Sequence, residues 1–420
     1  MTPTSVILLR FLILALILFL IDLYVFSGIK AITLKWLPFS RSLTHYSYWI
    51  LNIGLIFLTV LFFFAFRNKL VGFPTLMMVI GVLFSFLLAK LIFILVLMGE
   101  DVFRLVKYAW DWIAKISGNN SGQTTLDSRR AFISQAGLIV SSIPLAGMVY
   151  GMVKGKYAFK VHTVRVKSPH LPDEFHGFTI TQISDFHAGS FDDKNAVQRG
   201  LSLAQGLNSD LIVFTGDLVN NYAAEVLPYI NGLSELKSRY GKFSILGNHD
   251  YGDYVPWEFP GEKEGNFSEL KKYHAHGGFR LLLNEHEVIQ KGDSKIYLAG
   301  VENWGRGFRQ NGDLKKSISG IPDEGFVVLL SHDPTHWEDE VRWQDKRIDL
   351  TLSGHTHGMQ FGVEVGNFKW SPVKFRYPRW AGLFKEADSY LYVNRGFGFL
   401  GFPGRVGIWP EITQLILEKA

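Results

Sequence analysis

The hydrophobic pattern changes character at about residue 155. Before that point the chain runs through long uncharged apolar stretches. Trp49 to Phe66 and Val71 to Ala89 carry no charge, and the second resumes after Lys90 as far as Gly99. Phe11 to Gly28 is interrupted only by Asp22, and Ala131 to Val153 is uncharged with Pro144 inside. A membrane span needs roughly 20 apolar residues to cross about 30 Å of hydrocarbon. The pattern therefore predicts four spanning helices, about 6–28, 49–66, 71–98 and 131–153. So many apolar runs so close together leave almost no polar face, which argues against buried helices of a soluble domain.

From about Tyr157 short β-branched or aromatic runs alternate with polar, Gly-rich turns. Strands are predicted at Phe178–Ile183, Leu211–Phe214, Phe243–Leu246, Ile296–Val301, Phe326–Leu330, Leu350–Leu352, Tyr390–Val393 and Ile412–Ile416. Helices are predicted at Asp193–Leu207 and Ala223–Lys237, with a weaker signal at Ser268–His274. The organisation expected is a transmembrane region over residues 1–155 and an α/β domain over 156–420. Five of the predicted strands end in a polar cluster, and ligands bind at that edge of open α/β sheets.

Charge sharpens this division. Through Tyr150 there are 12 Lys/Arg against 5 Asp/Glu, and the remainder has 31 against 33. The near-neutral second part argues against a nucleic-acid partner held by bulk electrostatics. The absence of cysteine excludes a disulfide scaffold, zinc fingers, a thiol nucleophile and iron–sulfur ligation. Lys30, Lys35 and Arg41 in one loop, and Arg104, Lys107, Lys115, Arg129 and Arg130 in another, mark both as cytoplasmic by the positive-inside rule. The α/β domain then emerges on the outer face. Arg67, Lys69, Lys154, Lys156 and Lys160 run against that rule. Ser128-Arg129-Arg130-Ala131-Phe132 resembles a twin-arginine export signal, with an ordinary positive helix flank as the alternative. Asp22 and Lys90 lie near enough to the ends of their runs to snorkel to the interface.

The polar clusters are Ser184-Asp185-Phe186-His187, Gly216-Asp217, Gly247-Asn248-His249-Asp250, Ser331-His332-Asp333 and Gly354-His355-Thr356-His357. Oxygen and imidazole donors without thiolate suit Mn, Fe or Zn. Each cluster alone is a weak signal. Together, in this order and each after a short apolar strand, they resemble the calcineurin-like metallophosphoesterase superfamily. With the spans, Gly358-Met359-Gln360 and the tail from Val393-Asn394-Arg395 to Pro410-Glu411-Ile412, the chain is similar to the membrane-attached YaeI/YkuE-like phosphodiesterase branch. Met359 departs from the Gly expected there.

The resemblance implies a four-layer sandwich of two mixed β-sheets flanked by helices, preceded by the all-α transmembrane region. It implies two divalent ions, one held by Asp185, His187 and His357, the other by Asn248, His332 and His355, with Asp217 bridging. It implies an activated hydroxide between the ions attacking phosphorus in line. His249 is then the proton donor to the leaving oxygen or a stabiliser of the transition state, and Asp250 its orienting carboxylate or a turn residue. Arg306 and Arg309 are candidate phosphate contacts or members of a solvated loop. His336 reads as a surface residue, and His274, His276 and His286 receive no role.

The function expected is hydrolysis of a phosphodiester, pyrophosphate or phosphomonoester by an integral protein of a bacterial cytoplasmic membrane. A diester is preferred, possible partners being a lipid-linked substrate, the bilayer and the twin-arginine export machinery. Lys369 to Trp380 mixes cations with aromatics and fits either contact with lipid headgroups or an ordered surface loop. Two alternatives stay open. One is a cytoplasm-facing lipid-headgroup pyrophosphatase of the UDP-diacylglucosamine hydrolase type. The other is a transport or sensing protein with a regulatory metal-binding domain.

Overall fold

The computed structural model describes residues 3–116, 127–366 and 368–420. Part of the basic loop between the third and fourth spans, residues 117–126, lies outside them. The chain divides into two compact units, Met1–Tyr150 and Gly151–Ala420.

The first unit is helical: α1 (Pro3–Thr33), α2 (Pro38–Arg67), α3 (Phe73–Ile116) and most of α4 (Asp127–Val153). All four are long and apolar enough to cross a membrane. With 44 residues, α3 is about 66 Å long at 1.5 Å per residue, far more than a span requires. Its charges explain the excess: Asp101, Arg104, Lys107, Asp111 and Lys115 all fall beyond Gly99.

Asp22 and Lys90 do not snorkel as expected. They form an ion pair of 2.6 Å with little exposure, and the Tyr48 hydroxyl donates to Asp22 at 3.0 Å. Mutual neutralisation explains this, since a lone charge at that depth is costly. The arginine pair is likewise engaged. Arg129 lies 3.4 Å from Glu100 and covers the Phe103 ring, while Arg130 pairs with Asp101 and donates to Ser27 at 3.1 Å.

The second unit carries β1 (Lys160–Ser168), β2 (Thr179–Ile183), β3 (Leu211–Thr215), β4 (Lys242–Ile245), β5 (Arg280–Leu281), β6 (Glu285–Lys291) and β7 (Ser294–Gly300). It continues with β8 (Phe326–Leu330), β9 (Leu350–Ser353), β10 (Val363–Val365), β11 (Phe368–Trp370), β12 (Gly382–Glu386), β13 (Ser389–Val393) and β14 (Glu411–Lys419). One six-stranded sheet has the order β1-β14-β2-β3-β4-β5 and the other β12-β13-β9-β8-β7-β6. Both are mixed. β14 is antiparallel to β2 but parallel to β1, and the β6–β7 and β12–β13 pairs are antiparallel.

Ile180, Val213 and Ile245 from the first sheet meet Leu298, Val328 and Leu352 from the second in one apolar core. The outer faces are covered too. Val197 and Leu201 of the helix Lys194–Gly206 join the core over the first sheet, and Leu314 and Trp337 join that over the second. This is the four-layer sandwich expected. The predicted helix from Ala223 instead breaks into a 3₁₀ segment, Ala223–Tyr229, and a short helix, Ile230–Glu235. Pro228 is the cause, because it lacks the N–H and its ring crowds the preceding turn.

Candidate metal centre

The central strands of both sheets deliver their C-terminal ends to one place. β2 leads to Asp185 and His187, β3 to Asp217, β4 to Asn248 and His249, β8 to His332 and β9 to His355 and His357. The backbone there is contorted. Asp185, His187, Asp217, His355 and His357 all have φ between 50° and 71°, in the left-handed region that side chains rarely adopt. Such conformations cluster where a site over-determines them. Here the turns are pinned by main-chain bonds, Asp185 N–H to Gly216 O at 2.9 Å and His187 N–H to Asp217 O at 3.1 Å. Gly354 permits the approach of the two sheets. A Cβ on it would fall 2.0 Å from Ser184 Oγ and 2.2 Å from Asp185 Oδ2.

Two triads of donors result, Asp185–His187–His357 and Asp217–His332–His355, each with its atoms within 4.8 Å of one another. Asp217 faces both. Its Oδ2 is 3.6 Å from His187 Nε2 and 3.2 Å from His332 Nε2. His187 Nε2 and His357 Nε2 approach to 3.0 Å, and His355 Nδ1 lies 2.9 Å from Asn248 Oδ1 and 3.3 Å from His332 Nε2. Ring nitrogens and an amide oxygen turned toward one another in this way are a donor set that a pair of cations satisfies. Oxygen and nitrogen donors without sulfur fit Mn, Fe or Zn.

Burial and charge set the electrostatics. Burial pushes the His187 imidazole well below its usual range. At His332 burial acts the same way, but the Asp217 carboxylate outweighs it and lifts the group to about 10. Burial alone would raise Asp185 and Asp217. His357 holds the first below the usual carboxylate range, and His332 and His249 hold the second there. The pocket thus keeps two ionised carboxylates out of water, which only nearby positive charge makes tolerable.

The remaining site residues are placed as follows. His249 N–H donates to Asp217 Oδ1 at 2.8 Å, and its Nδ1 lies 2.8 Å from the Asn220 carbonyl oxygen. The ring's partner is that carbonyl, so of the two roles open to Asp250, orienting carboxylate or turn residue, the contacts fit the second. The Asp250 carboxylate instead accepts four backbone N–H groups, from Asp217, Leu218, Val219 and Gly247, at 2.8–3.3 Å. Burial, then the Asp217 charge, pushes its pKa up to about 7. Arg306 and Arg309 are engaged in ion pairs, Arg306 with Asp339 and Arg309 with Asp253 at 3.1 Å. His336 is fully buried rather than on the surface. It stacks on Trp304 and lies 2.8 Å from the Ser331 hydroxyl.

Several contributors escape sequence reasoning. Asp333 Oδ2 lies 3.3 Å from His355 Nε2, and the Tyr377 hydroxyl 2.9 Å from the same nitrogen. Asn220 Oδ1 lies 3.1 Å from His187 Nδ1. Carbonyl and carboxylate partners of this kind fix the tautomer and direction of a ligating imidazole. Tyr254 accepts from Asn248 at 2.8 Å. Arg405 is fully buried, with Nη2 3.1 Å from His357 Nδ1 and 2.8 Å from the Arg395 carbonyl. Asp333 follows the His332 ligand candidate directly, and Asn220 comes three residues after Asp217. Those positions are the only sequence signals.

Two stacked mixed sheets with aspartate, histidine and asparagine converging from their strand ends define a metal-dependent hydrolase. The chain belongs to the calcineurin-like phosphoesterase family. Residues 178–359 match the family described as "Calcineurin-like phosphoesterase". Residues 8–156 match "Probable Calcineurin-like phosphoesterase, transmembrane domain". The chain is 30% identical over 302 residues to "Uncharacterized metallophosphoesterase YkuE" of Bacillus subtilis, covering 70% of this chain and 98% of that one. It is 30% identical over 281 residues to "Transmembrane protein with metallophosphoesterase domain" of Danio rerio, covering 65% of this chain. The match spans only 60% of the Danio rerio protein's own length. It is 27% identical over 264 residues to "Uncharacterized metallophosphoesterase YkoQ" of Bacillus subtilis, with 60% and 88% covered. The chain is thus a membrane-associated metallophosphoesterase.

Proposed function

We propose that the protein is a membrane-tethered phosphodiesterase. It hydrolyses a diester or pyrophosphate bond in a lipid- or nucleotide-linked headgroup on the outer face of a bacterial cytoplasmic membrane. The observation that carries the reading is the meeting of two donor triads at Asp217. Asp185, His187 and His357 would hold one divalent ion, Asn248, His332 and His355 the other, and Asp217 both. Ions held there would activate water near neutral pH and neutralise charge growing on the phosphoryl oxygens.

The rest falls to the chain. Asp217 ties the two halves of the site, and its Oδ1 accepts the His249 N–H, so the proton-transfer residue is held in register with the donors. His249 Nδ1–H donates to the Asn220 carbonyl, which leaves Nε2 as the atom that exchanges a proton. Donation to a leaving oxygen therefore requires the imidazolium form. Asp333 and Tyr377 hold His355 from its far side.

A tether suits a substrate that resides in the bilayer. The orientation is supported by the basic loops on the opposite side. For the arginine pair, a structural clasp is the reading its contacts favour over an export signal, because both side chains are committed to acids on α3. The test is turnover of bis(p-nitrophenyl) phosphate and p-nitrophenyl phosphate by the purified full-length protein with Mn, Zn or chelator. Metal-dependent turnover with the diester preferred supports the proposal, and a monoester preference sinks the diesterase claim. Equal relative efficiency of full chain and soluble fragment on lipid and soluble substrates would sink the lipid claim.

A further inference from the structure

The β10–β11 hairpin is built inside out. Its register pairs Val363 with Trp370 and Val365 with Phe368, with Glu364 opposite Lys369 between them. Side chains alternate across a hairpin, so the four apolar residues share one face and the two charged ones the other. The charged ends of Glu364 and Lys369 bond to buried partners. Glu364 pairs with Arg395, and the Lys369 amine donates to the Ala381 carbonyl. The apolar face is open, with Val363, Val365, Phe368 and Trp370 exposed to 47%, 71%, 62% and 37%. Phe375, in the following turn Pro372–Phe375, is 80% exposed, and Met359 before the hairpin is also exposed. Lys374 lies over the Phe375 ring, and Arg376 is exposed beside them. Water-facing hairpins show the reverse polarity.

The same surface is bonded to the place where the chain leaves the membrane. Gly151–Val153 are the last residues of the fourth span. The Gly151 carbonyl accepts from Arg405 N–H at 3.3 Å, and a Cβ on Gly151 would fall 2.6 Å from the Arg405 oxygen. The next residue holds the hairpin's root. Val406 N–H donates to the Gln360 carbonyl at 2.7 Å, and Gly362 N–H to the Val406 carbonyl at 2.9 Å. One short loop thus joins the end of a span to the base of an apolar, cation-edged hairpin.

We propose that the β10–β11 hairpin and the Pro372–Phe375 turn form a membrane-docking surface, inserted at the headgroup level of the bilayer that holds the spans. The occupant is that bilayer. Aliphatic and aromatic side chains flanked by Lys and Arg are the composition of interfacial anchors, and cations there attract anionic lipids. The hairpin follows Gln360, three residues after His357, so docking also sets the metal centre at the membrane surface. This consequence, that phosphate carried by a lipid is the favoured substrate, rests on the activity proposed above. The docking itself does not.

The chain has no cysteine, so single labels can be placed in the full-length protein. Val365→Cys, Phe375→Cys and, as control, Asp293→Cys in the exposed β6–β7 turn would each carry an NBD fluorophore. The proteins would be reconstituted in phosphatidylcholine–phosphatidylglycerol vesicles with and without doxyl-labelled lipid. Blue-shifted emission at 365 and 375, quenched by doxyl lipid, with neither effect at 293, is the expected result. Emission at 365 and 375 like that at 293 overturns the proposal. So does a blue shift that doxyl lipid leaves unquenched and that grows with protein density, which assigns the face to a second copy. In a second arm, Val365→Glu with Phe375→Glu is expected to lower turnover of a vesicle-borne nitrophenyl phosphodiester about tenfold, since charge is expelled from the interface. Turnover of soluble bis(p-nitrophenyl) phosphate should stay unchanged, and an unaltered ratio of the two contradicts the docking role. Should neither substrate turn over, the activity reading fails while the fluorescence arm still decides the docking.

Discussion

Asp250 faces away from the histidine beside it. Its carboxylate gathers the N–H groups of two strand-end loops, those after β3 and β4, which carry Asp217 and Asn248. Removing it orphans four buried donors at once. Asp250→Ala is therefore expected to destabilise the domain by about 3–5 kcal/mol, seen as a lowered thermal midpoint, before any effect on chemistry is considered. Asp333 makes the opposite case. It touches a ligand candidate from behind, so Asp333→Asn should leave folding intact and weaken metal binding about 10–100-fold, read by metal titration. The clusters that hold the seven proposed ligands were legible in the sequence because they follow short apolar strands, while the ligand roles come from the family resemblance. The supporting roles of Asp333, Asn220 and Arg405 were not legible. Each acts through a neighbour that only the tertiary fold supplies. Sequence left Asp250 open between orienting carboxylate and turn residue for the same reason, since adjacency along the chain says nothing about which way a carboxylate turns.

At the scale of elements, short apolar and β-branched runs found the central strands, which are largely apolar and buried. They missed β1, an edge strand whose first half is largely exposed, the short or partly exposed β5, β6 and β12, and the β10–β11 hairpin, whose polarity is inverted. Apolar periodicity locates elements that face a core, so an element facing something else goes unread. The helix Glu262–His276 was seen only weakly, and it buries His274. Burial lowers that imidazole from 6.5 to about 4. The unfolded chain then binds the proton that the folded chain refuses. Stability is whole above pH 6.5 and falls as pH drops toward 4, by about 2 kcal/mol at pH 5. His274→Phe should remove this share of the loss, so its unfolding midpoint should shift less between pH 7 and pH 5 than that of the parent protein. An equal shift in both would contradict the assignment.

For the whole molecule, composition already separated a basic apolar third from a neutral α/β remainder, and the structure divides into units at Tyr150. The spans before the fourth exceed what a tether needs. The Asp22–Lys90 pair gives those spans a buried ion pair, and Glu100 and Asp101, beyond the apolar run of α3, hold Arg129 and Arg130. The proposed orientation is checked by fusing reporters after Ala420: alkaline phosphatase active and green fluorescent protein dark is expected, and the converse reverses the topology. The central claim is that two metal ions share Asp217 in a working phosphoesterase. The most direct measurement is metal content together with turnover of bis(p-nitrophenyl) phosphate for the full-length protein and Asp217→Asn. Two ions per chain, metal-dependent turnover, and a fall of about 10³-fold or more in the folded variant with loss of bound metal are expected. Full turnover by folded Asp217→Asn, or undiminished metal content, would contradict the account.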